Sequence, residues 1–547
     1  MLKSFIKLAV FLFCSGASAQ SCNWEWARGG GGEEFDNSQA LSVDGFEHEY
    51  VSGRQYSLDA YYGSVHLIKN NPGCDIFIVQ YDQDGLATWG KNFGNGGYNY
   101  SSGTASDRFG NVYLLGSFED SVMDVGSVQL ISKGSIDICL IKMQSNGVVL
   151  WAKTIGGEGF ELPHEIHINS NDEILITGEF TSDSMYFDNS NLFVKNNRCN
   201  FFFAKYDLNG NYLLAHKFES YNLLYSLSVA EDDAHNFYLS GDYSDSLLVL
   251  DSDTLFNYYS LTTGFLDNSF LAKFDSLGNI MWSKNANGEF FDAQFGVAVD
   301  SNLNVYWGVN YYDNVGLDDT LFINQSYRGF LLVKFDSLGN RLRVLTPSLN
   351  YSAIGSSISF NPRSGIYFSG ESSSFNLILG NITIPAGGLF FCKADADLNC
   401  NWAKRITANN TVVSSAISSN GNSDLYVAGY FRSSDLYFDT LHVDNYAFGS
   451  DNVYLAKIHE SVVGMEDLDQ INNIEIFPNP SSGLFHLHLT SPSTKLKVYD
   501  LVGQLVLEKE ISNLSDVEFN IEGPGVFIVE LSGNEYRDVA RLIVTHK

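Results

Sequence analysis

A short pattern returns seven times along this chain, and that periodicity restricts the fold more than any other feature. It reads HEYVSG at 48–53, NVYLLG at 111–116, EILITG at 173–178, NFYLSG at 236–241, NVYWGV at 304–309, GIYFSG at 365–370 and DLYVAG at 424–429. The central residues are Tyr50, Tyr113, Leu175, Tyr238, Tyr306, Tyr367 and Tyr426, spaced by 63, 62, 63, 68, 61 and 59 residues. A second pattern follows each copy after a variable insert: IVQYD, LIKMQ, FAKYD, LAKFD, LVKFD, FCKAD and LAKIH. Behind it, in six copies, comes a turn residue (Gly85, Gly147, Gly210, Gly278, Gly339 or Leu398), and four residues later Trp89, Trp151, Leu214, Trp282, Arg343 or Trp402. A period of this length marks a supersecondary unit that buries its faces only against its neighbours.

Each unit reads as four short strands. In the second copy they are expected over 103–107, 112–118, 138–144 and 148–155. β-Branched and aromatic residues dominate them, and Asp-Gly or Asn-Gly pairs such as Asp84-Gly85 and Asn146-Gly147 punctuate the turns, because Gly tolerates positive φ. No helical period of useful length competes. The expected fold is all-β, a seven-bladed β-propeller. The seventh copy ends at YLAKI (454–458) without a Trp strand. Residues 24–29 (WEWARG) resemble WAKTIG at 151–156, so the N-terminal strand is expected to complete the last blade and close the ring. Closure matters because an open edge invites aggregation. A linear solenoid, the alternative, has no need of two complementary half-repeats.

The combination N-x-Y-x-x-G, D-x-F-x-x-K-x-D-x-x-G and W-A-K resembles the SBBP family of bacterial β-propeller repeats over roughly residues 22–460. That resemblance implies a secreted propeller and carries no shared catalytic residues.

Residues 1–19 have the form of a signal peptide. Lys3 and Lys7 precede an apolar stretch, Leu8–Cys14, too short to span a bilayer, and Ala17-Ser18-Ala19 is a small-residue cleavage pattern. Export is the expectation, with no transmembrane segment. The net charge of -32 disfavours nucleic acid and anionic membrane surfaces as partners, since both need Lys/Arg neutralisation. Beyond the leader stand Cys22, Cys74, Cys139, Cys199, Cys392 and Cys400, with no C-x-x-C pair or His cluster to suggest zinc. Cys392 and Cys400 flank a turn and are a possible disulfide or, equally, buried free thiols.

After a polar linker (461–473), residues 474–547 hold about seven short strands and suggest a small Ig-like β-sandwich. The strings IEIFPNPSSGLFHLHL, KVYDLVGQLV and GVFIVEL resemble a type A sorting domain of the type IX secretion system, with Pro478, Asn479, Pro480, Gly483, Gly503 and Gly525 carrying the motif. The resemblance implies the type IX machinery as a partner and a destination outside the cell or on its surface.

No catalytic set emerges. The repeated Lys142, Lys205, Lys273, Lys334, Lys393 and Lys457, and the Asp82, Asp207, Asp275, Asp336 and Asp395 that precede turns, occur too regularly for one active site. Asp82-x-Asp84-Gly85 does not continue into a 12-residue calcium loop, and His164-Glu165-Ile166-His167 lies one residue short of a zinc-helix motif in a segment that reads as strand. No cofactor is expected, and catalytic, cofactor-binding and metal residues are all expected to be absent. Where the units differ, ligands are expected. The longest insert, 247–268, offers Tyr258, Tyr259 and Phe265 as ligand-facing aromatics; 94–100 and 289–294 also differ. A recurring Asp-Ser/Thr-apolar triplet, as at Ser121 and Thr440, resembles an O-glycosylation acceptor. The expected role is a secreted or cell-surface scaffold binding a glycan or protein without catalysis. The alternative is an extracellular polysaccharide- or protein-degrading enzyme on the same scaffold.

Overall fold

The fold was obtained as a computed structural model. It describes residues 20–547 except 189, 194–199, 220–223, 245, 251, 258–266, 289–292, 348–351, 373–375, 421–423, 448, 463–473, 478–480, 482, 490–494, 501–504, 512–515, 522–524, 533–536 and 545–547. The signal sequence, most of the linker, Tyr258, Tyr259, Phe265, Pro478, Asn479, Pro480 and Gly503 lie outside the described residues. All the regular elements are strands, and the chain divides into two compact units, Cys22–Glu460 and a second containing Ser461–Lys547.

In the larger unit each sequence repeat is an antiparallel four-stranded meander. The first is Asn37–Val43, Glu49–Gln55, Asp75–Tyr81 and Ala87–Phe93; the second is Tyr100–Ser106, Val112–Phe118, Asp137–Met143 and Val149–Ile155. The final sheet runs Val412–Ser419, Leu425–Phe431, Asn452–Val462 and then Gln20–Gly32, so the strand missing from the seventh copy is supplied from the other end of the sequence. First strands of successive repeats pack side by side. Those of repeats one and two touch, as do those of every later pair, and Val412–Ser419 packs back on Asn37–Val43.

Apolar residues are distributed to suit that arrangement. Seven buried clusters lie between neighbouring repeats rather than within one. Tyr50, Ile76 and Ile78 of repeat one meet Val112, Leu114 and Cys139 of repeat two. Trp26, Tyr426 and Leu455 of the last sheet meet Val51, Phe77 and Val79 of the first. Because both faces of each middle strand are covered, Asp75–Tyr81 and Val112–Phe118 are buried at every position.

Two structural facts explain the repeated glycines. Every first strand carries a bulge, placed between Ser38 and Ala40 in repeat one and between Ser414 and Ala416 in repeat seven. The glycine of the Y-x-x-G pattern lies beside it. A Cβ on Gly53 would sit 1.9 Å from the Asn37 carbonyl, and one on Gly429 1.9 Å from that of Val413. Four of the turn glycines, Gly85, Gly147, Gly210 and Gly339, answer to the tryptophan of the preceding repeat. Gly85 (φ +71°) faces Trp26, and Gly147 (φ +79°) faces Trp89. The indoles donate across the same boundary, Trp26 to Gln83 O at 3.1 Å, Trp89 to Ser145 O at 2.7 Å and Trp282 to Ser337 O at 3.1 Å. Trp26 therefore takes the part played by Trp151 elsewhere. Trp24, which the sequence comparison sets opposite Trp151, instead packs edge-on against Phe391 and Phe438.

The inserts fold into something the sequence reading did not anticipate. Between second and third strands, six repeats add a short hairpin, such as Asp59–Tyr62 with Val65–Ile68 and Asp435–Phe438 with Leu441–Asp444. In repeat five the two middle strands simply lengthen, to Val305–Leu317 and Thr320–Phe335. In repeats one, four, five and seven the added strands pair with the outermost strand of the preceding repeat, as Ile406 does with Phe438 and Gly30 with Tyr62.

Cys392 and Cys400 are both free thiols, and burial, together with the neighbouring Cys400 thiol, pushes the Cys392 thiol up. Cys392 lies opposite Ala403 and Cys400 opposite Ala394, which makes the thiols diagonal neighbours.

The smaller unit has two sheets over one core. Ile474–Phe477, Leu484–Leu489 and Asp516–Asn520 form one; Leu505–Glu510, Lys495–Asp500, Gly525–Ser532 and Arg537–Val544 form the other. Phe485, Leu487, Val498, Phe519, Val529 and Leu542 fill the space between. Gly483 has φ +123° and its carbonyl accepts from Ile521 N at 2.9 Å. Gly525 begins a strand, with Phe527 beside it.

Candidate functional site: a double cleft beside the N-terminal strand

The repeated lysines and aspartates act in the framework. Lys142 Nζ donates to Leu208 O (2.9 Å) of the next repeat and lies 3.6 Å from Asp107 of its own. Lys273 and Lys334 do the same with Ser337 O and Ala396 O. Asp82, Asp207, Asp275 and Asp336 each accept backbone N–H groups two and four residues on, which closes their turns. His164-Glu165-Ile166-His167 is strand, and Glu165 accepts from Val229 N (2.7 Å) of the neighbouring repeat. Burial pushes the Glu165 carboxyl up to about 7 and both imidazoles down to about 4.

Two concavities among the described residues lie elsewhere, where the N-terminal strand passes between the hairpins of repeats seven and one. One cleft of about 500 Å³ is lined by Gly32, Glu33, Glu34, Ser57, Leu58, Asp59, Tyr61 and Tyr446. A second, about 410 Å³, is lined by Ala27, Arg28, Gly29, His442, Val443, Asp444, Asn445 and Tyr446. Both lie in the size range of small-ligand sites. Tyr446 borders both.

Four consecutive glycines allow this construction. A Cβ on Gly29 would come within 2.5 Å of the Val443 side chain, one on Gly30 within 2.2 Å of the Tyr62 ring, and one on Gly32 within 2.1 Å of Asp59 O. Any side chain at these positions would push the hairpins off the strand. Asp36, wholly buried, accepts from Gly32 N, Tyr56 N and Ser57 N and so pins the bend that carries Glu33 and Glu34. Burial raises its pKa against those hydrogen bonds.

The two hairpins repeat a local device. In repeat one, Tyr61 stands opposite His66 and the rings stack at 4.3 Å and 8°, while His66 Nε2 meets Asp59 Oδ1 at 2.9 Å. In repeat seven, Tyr437 stands opposite His442, with centroids 5.0 Å apart, and His442 Nε2 meets Asp435 Oδ1 at 2.9 Å. The Ser434 and His442 hydrogen bonds hold the Asp435 carboxyl below its usual range. The common sequence is D-x-Y-[YF]-x-[ST]-x-H, at 59–66 and 435–442. That was the signal available in the sequence. Tyr446 continues the first row, 6.4 Å from Tyr61 at 22°, and its backbone N donates to Asn452 Oδ1. His66, Tyr61 and Tyr446 thus form one aromatic row, with Tyr61 41% and Tyr446 51% exposed. Among the described residues, Asp435, His442 and Asp444 bring three metal-type ligand atoms within 4.8 Å, with His442 already paired to both carboxylates.

Of the expected ligand-facing loops, 94–100 is shaped by Asp120, which accepts from Asn95 N, Gly97 N and Asn99 Nδ2, each at 2.7 Å. Residues 289–292 of another lie outside the described residues.

Comparison with known proteins bears chiefly on the smaller unit. Residues 475–545 match the secretion system C-terminal sorting domain. The chain therefore ends in a type IX sorting domain, and that tail directs it to the cell surface or beyond. No helix among the described residues is long and apolar enough to cross a membrane. An uncharacterized WD repeat-containing protein of Acanthamoeba polyphaga mimivirus is 23% identical over 227 residues, covering 36% of this chain and 16% of the mimivirus protein. Among solved structures, the chain is similar to a Dyadobacter fermentans protein of unknown function (8% identity, 80% of this chain and 99% of that one, TM-score 0.39). It is also similar to PorZ, a surface component of the type-IX secretion system of Porphyromonas gingivalis (11% identity, 92% and 75%, TM-score 0.27).

Proposed function

We propose that the chain is a seven-bladed, SBBP-type β-propeller closed by its N-terminal strand, followed by an Ig-like sorting module, that works outside the cell as a non-catalytic binding scaffold. The cyclic packing of first strands and the seven inter-repeat cores support the blade count. One observation carries the binding role: the double cleft beside the N-terminal strand is lined by the exposed aromatic side chains Tyr61 and Tyr446, whereas the repeated Lys and Asp side chains are spent on turns and inter-repeat bonds. The leader at residues 1–19 fits export through the periplasm.

The test is to present the full exported chain to glycan and protein arrays, then incubate any ligand found with the protein. Retention without new reducing ends or new peptide termini is expected. Turnover of the ligand would make the chain an enzyme instead.

A further inference from the structure

We propose that the Tyr61–Tyr446 cleft takes an uncharged oligosaccharide, an assignment that rests on the binding reading above and gives it a ligand class. The aromatic side of the cleft is a succession of near-parallel rings, His66, Tyr61 and Tyr446, at 4.3 and 6.4 Å with interplanar angles of 8° and 22°, of which the exposed parts of Tyr61 and Tyr446 line the cleft. The walls supply acceptors, the Glu33, Glu34 and Asp59 carboxylates. A ligand that satisfies both has C–H groups on its faces and hydroxyl donors around its rim, which describes a pyranose ring. The exposed parts of Tyr61 and Tyr446 pack on its apolar side while the carboxylates accept from its edge.

Charge removes the main competitors. Three carboxylates in the cleft, on a chain of net charge -32, repel phosphorylated or acidic ligands. A basic peptide would also be drawn to the first cleft, but its continuation into the adjoining one meets Arg28. Because the two clefts share Tyr446, a linear oligosaccharide can continue across that ring from one into the other. The platform is also held before any ligand arrives. Tyr61 is fixed by its cross-strand partner His66, and Tyr446 by its backbone bond to Asn452. Little ordering is left to oppose binding.

The experiment titrates the full chain calorimetrically with neutral hexasaccharides of glucose, xylose, mannose and N-acetylglucosamine, and in parallel with a Lys/Arg-rich peptide. At least one sugar is expected to bind. Tyr61→Ala and Tyr446→Ala are expected to weaken it tenfold or more, while Tyr437→Ala, which stacks on His442 but lines neither cleft, stays within twofold. Thermal unfolding of each variant checks that the exposed substitutions leave the fold intact. Sugar binding that survives both Tyr61→Ala and Tyr446→Ala overturns the cleft assignment and leaves the scaffold a binder. Binding of the peptide alone overturns the sugar class in the same way. Binding of neither probe overturns the assignment, and if the arrays are also blank the binding reading falls with it.

Discussion

Trp26 stacks over Gly85, fifty-nine residues further on in sequence, and donates its indole N–H to Gln83 O of the same turn at 3.1 Å. One residue of the N-terminal strand thereby binds the first repeat as Trp89 binds the second and Trp282 the fifth. Arg28, two residues on, adds bonds to Gly85 O at 3.0 Å and Asp84 O at 2.6 Å. Repeat six ends differently. Trp402 donates to the Glu460 carboxylate at 3.0 Å, because the seventh copy leaves the larger unit where a Gly turn would otherwise come.

Trp26→Ala should therefore cost far more than an average substitution. It removes a 6%-exposed indole from the core between the last sheet and the first, a class of change worth about 3–5 kcal/mol. Arg343→Ala, at the equivalent place in repeat five but exposed, should stay within about 0.5 kcal/mol. Urea unfolding of the two variants checks the contrast; equal midpoints would show that the N-terminal strand is not part of the cooperative unit.

Gly85→Ala tests the other partner. The residue has φ +71°, and a Cβ would lie 2.7 Å from the Trp26 ring, so backbone strain and a clash add together. A loss of about 2 kcal/mol or more is expected, since the left-handed conformation alone costs a non-glycine about 1–2 kcal/mol. Gly45→Ala is the control, with nothing within 4 Å of the new carbon. Differential scanning calorimetry should show a lower Tm for the first and an unchanged one for the second.

Leu398 shows how far such pairs were legible in sequence. It is the turn residue of copy six, at φ +62°, and the copy before it has Arg343 in place of Trp; without an indole overhead, the turn keeps a side chain. Repeat length, strand type and the displaced N-terminal strand follow from patterns within one unit, because each unit repeats the same local choices. The outer hairpins escaped notice because their sequences vary and each is only three or four residues per strand. The cleft was hidden for a different reason, since the string shared by 59–66 and 435–442 marks two hairpins and not the strand between them. Gly29–Gly32, Tyr61 and Tyr446 come from three remote stretches that meet only when the N-terminal strand is in place.

The third first-strand should make stability depend on pH in two opposing ways. Glu165, with its carboxyl near 7 when folded, holds its proton more tightly in the folded chain. Its stabilising contribution is complete below the unfolded value near 4.5 and is lost as pH rises through 7. His164 and His167, near 4 when folded, act oppositely: their contribution is complete above the unfolded value near 6.5 and is lost as pH falls towards 4. Glu165→Gln keeps an acceptor for Val229 N and removes the titration. Its denaturation midpoint should exceed that of the wild-type chain at pH 8 and match it at pH 4.5. A constant difference at both pH values would mean that Glu165 does not titrate in this range.

Lys393 and Glu460 give the sharpest test of how the last repeat is joined. The ammonium meets the carboxylate at 2.6 Å, both side chains are almost fully buried (3% and 2% exposed), and Trp402 binds the same carboxylate. Removing one partner strands a charge in a low-dielectric interior, which costs about 3–5 kcal/mol. Lys393→Met should therefore be strongly destabilising. Glu460→Gln, which keeps an oxygen for Trp402, should be less so, because an ammonium loses its counter-ion but retains a polar acceptor. The double variant Lys393→Met/Glu460→Gln removes both charges and should recover part of the loss of Lys393→Met. A double-mutant cycle by chemical denaturation reads the coupling directly. Additive losses would mean that the two groups stabilise the closing repeat independently, whereas recovery identifies the ion pair as the unit that stands in for the missing turn.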